Sequence, residues 1–198
     1  MSDTLRTAII SSAHRRDSQS ARIAEVLKQH FLNGNADIID LFEDSLPLWD
    51  GETPANEAIS KVQQTAANAD AFIFVVPEWH GMAPAGLKNL LLWNAGQPHM
   101  AHKPVLLVGV SAAVGGAFVI AELRASGYKN ARLMYTPEHL ILRGVGDLWE
   151  DGVEAESDAY ISKRAQFAVD QLLTYAEALK PVRGKLLEAQ ADYANGMS

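Results

Sequence analysis

Apolar residues in this chain fall into short runs separated by stretches with helical spacing. The runs are Thr7 to Ile10, Ile38 to Leu41, Ala71 to Val76, Val105 to Val110 and Leu133 to Tyr135, and each has the length and β-prone character of a strand. Ala71 to Val76 and Val105 to Val110 are apolar at nearly every position, as strands covered on both faces are. Between the runs, Ile23, Ala24, Leu27 and Phe31, then Ile59, Val62 and Ala66, recur at three- and four-residue intervals and predict helices. Further helices are predicted from Pro84 to Trp93, from Phe118 to Leu123 and from Ala155 to Leu179. Pro and Gly punctuate the chain at Leu46-Pro47-Leu48-Trp49-Asp50-Gly51, Gly96-Gln97-Pro98, Gly115-Gly116 and Ser126-Gly127. This strict alternation predicts an α/β fold: about five parallel strands, doubly wound, with helices on both faces. Residues 1–180 form the expected domain. Residues 181–198 form a C-terminal extension, in which Gly184 to Ala194 is a further short helix.

Composition narrows the function. A chain of 198 residues suits one domain, and 48% hydrophobic against 21% charged residues is ordinary globular composition. A formal charge of -7 disfavours phosphate-backbone binding, so nucleic acid is not expected as a partner. The absence of cysteine removes thiolate nucleophiles, thiol redox couples and cysteine-based metal sites, so redox chemistry must come from a bound cofactor. Residues Met1 to Arg6 lack the cationic and apolar segments of a secretory leader, which predicts a cytoplasmic protein. The run from Val105 to Ala121 is interrupted by Ser111 and Gly115-Gly116 and is shorter than the ~20 residues a bilayer needs, so no membrane association is expected.

Ligands of open α/β sheets bind at the carboxyl ends of the strands, and three loops there carry chemistry. Pro77-Glu78-Trp79-His80-Gly81-Met82-Ala83-Pro84 follows the third strand and presents Trp79 just before a helix, although an ordinary loop with a surface tryptophan has the same pattern. Ser11 to Ser20 lacks the glycines of a dinucleotide site but offers serine hydroxyls, Arg15, Arg16 and a helix start. That set suits a terminal phosphate, and Ser18 or Ser20 serves equally well as an N-cap. Gly109-Val110-Ser111-Ala112-Ala113 has the outline of a nucleophile elbow, but only Glu122 and Glu138 lie between Ser111 and His139, and neither is placed to orient that imidazole. Ser111 to Gly116 is better read as a third ligand loop, its glycines admitting a flat ligand and the following helix N-terminus facing it. His99 and His102 lack a third ligand, so no metal site is expected and both should be solvent-exposed. Glu150, Asp151, Glu154, Glu156 and Asp158 supply favourable charge at the start of the last helix. Leu87, Leu90 and Leu91 are core candidates.

Together the three loops resemble the NADPH-dependent FMN reductase family. Its pattern after the third strand, P-E-Y-N, small residues, P-G-x-L-K-N, is followed by Pro77-Glu78-Trp79-His80, Pro84, Gly86, Lys88-Asn89 and Trp93. Its first loop, G-S-x-R-x-x-S-x-N, is followed less closely: an ungapped reading puts Ser12 and Ala13 at its Gly and Ser and keeps Arg15, Ser18 and Ser20, Arg16 replacing Arg15 if one residue is inserted, and the likeness runs from about Thr7 to Leu179. The resemblance implies a flavodoxin-like fold, FMN as cofactor and NADPH or NADH as electron donor. It also implies a small-molecule acceptor such as free flavin, quinone or azo compound, and a homodimer or homotetramer. An electron carrier or redox sensor without its own turnover would use the same loops. The implied FMN contacts are Ser12, Arg15, Ser18 and Ser20 at the phosphate, Pro77, Glu78, Trp79, His80 and Gly81 beside the ring, and Ser111, Ala112, Gly115 and Gly116 at the pyrimidine side. No side chain is required as catalytic acid for hydride transfer at the flavin N5. Trp79 stands where the family has tyrosine and His80 where it has asparagine, which makes His80 a candidate modulator of turnover.

Overall fold

The structure, a computed structural model, describes residues 5–52 and 56–193. Residues 1–4, weighed above as part of a leader, and 194–198, the end of the extension, lie outside the described residues. Five strands, β1 (Thr7–Ser11), β2 (Ala36–Asp40), β3 (Ala71–Pro77), β4 (Pro104–Val110) and β5 (Met134–Leu142), form one parallel sheet in the order β2-β1-β3-β4-β5. The helices are α1 (Gln19–Val26), α2 (Glu57–Asn68), α3 (Ala85–Trp93), α4 (Ala117–Ala125), α5 (Ala159–Leu179) and α6 (Arg183–Gln190). This is the flavodoxin-like arrangement, and its topological switch falls between β1 and β3.

Alternate residues of the central strands explain why both faces are covered. Ile10, Phe72, Phe74, Val76 and Leu107 pack against Val62 and Ala66 of α2, Leu87 and Leu90 of α3, and Val119 and Leu123 of α4. Ile9, Ile73, Val75, Leu106 and Val108 face the opposite way, against Ile23 of α1 and Ala165, Ala168, Val169 and Leu172 of α5. At roughly 1.5–3 kcal/mol for each fully buried large aliphatic or phenyl side chain, these two layers hold the sheet and with it the loops at its carboxyl edge.

Two element boundaries and the burial of two histidines depart from the sequence expectation. β5 runs to Leu142 instead of stopping at Tyr135. Thr136-Pro137-Glu138 has the look of a turn, yet β5 is an edge strand where proline is tolerated, and the register with β4 shifts between Val105 and Leu107 to absorb it. Arg124 secures this irregularity by donating to the carbonyls of Thr136 and Pro137. α5 begins at Ala159, after a short 3-10 turn at Glu156–Asp158, because Asp158 is occupied in accepting the Trp149 amide. His99 and His102 are half-buried rather than exposed, with His102 Nε2 bonded to Gln190 of α6 at 3.1 Å.

The amino end of the sheet is closed by charge. The buried Asp70 carboxylate accepts from the Arg6 amide at 3.2 Å and pairs with Lys180 at 3.0 Å and Arg183 at 3.1 Å, fastening the end of α5 and the start of α6 beneath β1 and β3. None of the side chains of α6 is buried, and Arg183 and Gln190 make polar contacts to the body. Among the described residues, no helix is long and apolar enough to cross a membrane.

Candidate active site

The three loops meet where the topology reverses. They enclose a cleft of about 180 Å³ lined by Arg15, Ser18 and Ser20 from the first loop, Pro77, Glu78 and Trp79 from the second, and Ser111 and Ala112 from the third. Ala13, Gln19, Val110 and Val145 complete the wall. Larger hollows lie elsewhere, such as that between Phe31 and α5 at the amino end of β1, but none collects these groups.

Each predicted residue has a definite place. Ser18 is the N-cap of α1, its Oγ accepting the Ala21 amide at 3.2 Å. The N–H groups of Gln19 and Ser20 precede the first intrahelical bond and point out of the helix start. Ser20 is 1% exposed, and its hydroxyl has no partner among the described residues although it belongs to the cleft wall. Ser12 is used differently from the expectation: its hydroxyl donates to the Val75 carbonyl at 2.9 Å, tying β1 to β3, and it lies outside the cleft wall.

In the second loop, Trp79 and Met82 exchange backbone hydrogen bonds of 3.1 and 3.0 Å across a two-residue turn. The central residues, His80 at φ 53° and Gly81 at φ 74°, give it the left-handed backbone of a type I′ turn. The turn exposes His80 and Gly81, which therefore lie outside the cleft, and holds the Trp79 ring at its mouth. There the indole is met edge-on by His14 at 5.0 Å and covered by the Arg15 guanidinium at 5.5 Å.

The third loop is folded by Ser111. Its Oγ accepts the amides of Ala113 at 3.2 Å and Gly115 at 3.1 Å, and its own carbonyl accepts from Val145. His139 lies in register with Leu107, three residues before the end of β4, so no histidine activates Ser111 and the elbow resemblance carries no hydrolase. Gly109 has a steric role that the elbow pattern concealed: a Cβ there would stand 2.3 Å from the Gly116 carbonyl oxygen. Gly115 and Gly116 shape the loop from behind and do not line the cleft.

The expectation that the N-terminus of α4 faces a ligand is overturned by Glu78. Its carboxylate accepts the amides of Gly116 at 2.8 Å and Phe118 at 2.9 Å, so the positive end of that helix is compensated by the protein itself. By contrast, the start of α1 has no acidic residue in its first turn. Sequence reading also missed Val145, which reaches the cleft only because β5 is long enough to deliver it; the Gly144-Val145-Gly146 spacing was the available signal. The Leu46-Pro47-Leu48 loop is held by α3, since the Pro47 carbonyl accepts from Asn89 at 2.9 Å and the Trp93 indole at 2.8 Å.

A buried hydroxyl without a partner among the described residues, an exposed guanidinium and a helix start on one side, and an aromatic ring at the mouth on the other, define a mononucleotide-type site on a flavodoxin-like α/β domain. The chain matches the NADPH-dependent FMN reductase family over residues 5–145 and belongs to it. It is 31% identical over 145 residues to a 2-hydroxy-1,4-benzoquinone reductase of a Burkholderia species, covering 69% of this chain and 78% of that one. A quinone reductase of Escherichia coli K12 is 25% identical over 197 residues, covering 92% of this chain and 100% of its own. In fold, it is similar to a flavoenzyme NAD(P)H:(acceptor) oxidoreductase from Paracoccus denitrificans, with a TM-score of 0.74 at 23% identity over 89% of this chain and 99% of that one. The protein is thus an FMN-dependent NAD(P)H oxidoreductase.

Proposed function

We propose that this oxidoreductase passes two electrons from NAD(P)H to a quinone, with free flavin and azo compounds as further acceptors, and that the three-loop cleft is where FMN is held. The unpartnered, buried Ser20 hydroxyl carries this assignment, because a polar atom without a partner in a tightly packed wall costs stability unless a ligand satisfies it. Ser20, the amides at the start of α1 and Arg15 would take the phosphate, and Trp79 would cover the ring. When bound, FMN would supply the two-electron chemistry that links the nicotinamide to the acceptor. The residues of this chain bind and orient: the type I′ turn sets the opening above the cleft, and Ser111 and Ala112 bound its floor. No side chain is needed to donate a proton for hydride transfer. His80, exposed beside Trp79, sits where it would modulate how acceptor enters. The quinone assignment follows the named relatives.

The same reading includes self-association as a homodimer or homotetramer in the cytoplasm, without nucleic acid or membrane as partner. Its support is a rim of exposed apolar residues around the cleft, with Leu48 82%, Met82 55%, Val114 83% and Phe118 67% exposed. Comparing FMN with riboflavin tests the cleft: FMN is expected to bind at least about tenfold more tightly, since a charge-assisted phosphate contact is worth about 1.5–3 kcal/mol. Equal affinity, or no NAD(P)H oxidation on adding quinone to the FMN-loaded protein, would overturn the reading. A monomer at micromolar concentration would overturn the oligomer.

A further inference from the structure

The four-residue turn carrying Trp79 is fastened to α4 at both ends. At its entrance, the Glu78 carboxylate binds the amides of Gly116 and Phe118. At its exit, the Ala83 amide donates to Glu122 Oε2 at 2.7 Å. Phe118 and Glu122 are one helical turn apart on the same face of α4, so one carboxylate from the loop and one from the helix tie the two together along one stretch of helix. Between them the turn faces the Phe118 ring, whose Cδ2 lies 4.0 Å from where a Cβ on Gly81 would be. The other carboxylate oxygen of Glu122 pairs with Lys88 of α3. Burial works against ionisation of Glu122, but the Ala83 amide and Lys88 outweigh it and hold its pKa below the usual carboxylate range, so the grip is charged at neutral pH.

We infer that Glu122 is a positioning residue for the reaction: by holding the Ala83 amide it fixes the height of the Trp79–Met82 turn, and so the width of the slot that nicotinamide and acceptor enter. This rests on the functional reading above, in which Trp79 covers the flavin. A turn fastened only at Glu78 is a hinged flap. A turn fastened at both ends is a fixed lintel. Glu122 touches no reacting atom and acts through Ala83 and the turn. The turn's own residues do not reveal this, because its second anchor lies 39 positions along the chain.

Amide hydrogen exchange on the protein without cofactor or substrate tests the grip independently of turnover. Glu122→Ala is expected to speed exchange at Trp79, Met82 and Ala83 by about tenfold or more through local opening, while Phe74 and Val75 in β3 stay unchanged. Glu122→Gln, which keeps an acceptor oxygen for the Ala83 amide, restores slow exchange. Glu122→Asp, one methylene shorter, behaves as the alanine variant. Lys88→Met, which removes only the ion pair, exchanges like the wild type. In the FMN-loaded enzyme, Glu122→Ala and Glu122→Asp raise KM for NAD(P)H and quinone by about fivefold with kcat within about twofold, and Glu122→Gln returns KM to the wild-type value. Unchanged exchange in Glu122→Ala or Glu122→Asp overturns the inference. So does faster exchange with unchanged KM, which would make the contact structural only, or failure of Glu122→Gln to restore either reading. A wild type that binds FMN but does not reduce quinone would sink the functional reading, while the exchange result would still decide whether Glu122 holds the turn.

Discussion

The Arg15 guanidinium lies 5.5 Å from the centroid of the Trp79 indole, which joins the phosphate side of the cleft to its aromatic side through a single cation–π contact. Arg15 therefore has two roles to reconcile: it covers the indole, and it lines the cleft beside Ser18 and Ser20 at the α1 start. Trp79→Ala is expected to weaken FMN by about 1–3 kcal/mol, the scale of losing an aromatic stacking platform. Arg15→Ala should weaken FMN by about 1.5–3 kcal/mol and riboflavin much less, because only FMN carries the phosphate. The double variant should fall short of the sum, since the two residues touch. Fluorescence titration of the four proteins measures all of this, and unchanged FMN affinity in both single variants would place the pocket elsewhere.

His80 adopts φ 53°, a left-handed backbone that asparagine occupies more readily than histidine. His80→Asn should therefore leave thermal stability equal to or slightly above that of the wild type and keep FMN bound. As a modulator of acceptor entry, His80 should also set KM for the acceptor, so the variant should change that KM while FMN affinity stays as it is. An acceptor KM identical to that of the wild type would remove His80 as a modulator.

Gly109 and Gly146 stand near the same loops but differ in surroundings. Gly109→Ala drives a methyl group into the Gly116 carbonyl, where a Cβ would be 2.3 Å from the oxygen, and should cost about 1–3 kcal/mol while displacing the third loop. Gly146→Ala meets nothing within 4 Å and should fall within about 0.5 kcal/mol of the wild type. Urea denaturation of the two variants gives the comparison, and equal stabilities would mean that the close approach of β4 to the α4 start is not as described.

Asp70 makes stability depend on acid. Burial alone would raise its pKa, but the Lys180 ion pair, the Arg6 amide and Arg183 together bring it below the usual carboxylate value. The folded state thus binds its proton less readily than the unfolded chain, so the stabilising contribution is fully present above the unfolded pKa of about 4 and is lost as pH falls through the lower folded value. Asp70→Asn should be less stable than the wild type at pH 6, and the difference should shrink steadily below pH 4. Denaturation midpoints from pH 6 to pH 3 check this. A difference that stays constant with pH would show that Asp70 contributes through shape and neutral hydrogen bonds instead.

What the sequence determined by itself is whatever depends on local periodicity and local turn chemistry. Ala71 to Val76 and Val105 to Val110 are apolar without alternation, which marks central parallel strands whatever surrounds them, and the loops after β1, β3 and β4 follow from chain order. Pro77-Glu78-Trp79-His80 and Arg15 with Ser18 and Ser20 were legible for the same reason, each set lying within about ten residues beside a strand end. The tertiary structure alone decided where the polar side chains are used. Glu78 reads as a ligand contact until packing brings it against the α4 start, 38 positions away, and Ser12 reads as a phosphate contact until β3 lies beside it and the Val75 carbonyl accepts its hydrogen bond. Glu122 reads as an ordinary helix residue until α4 settles over the β3–α3 loop and Ala83 finds it. β5 passes through Pro137 because only the assembled sheet makes it an edge strand. Apolar periodicity is written along the chain, whereas a hydrogen bond to a side chain belongs to whichever buried donor or acceptor folding brings within about 3 Å.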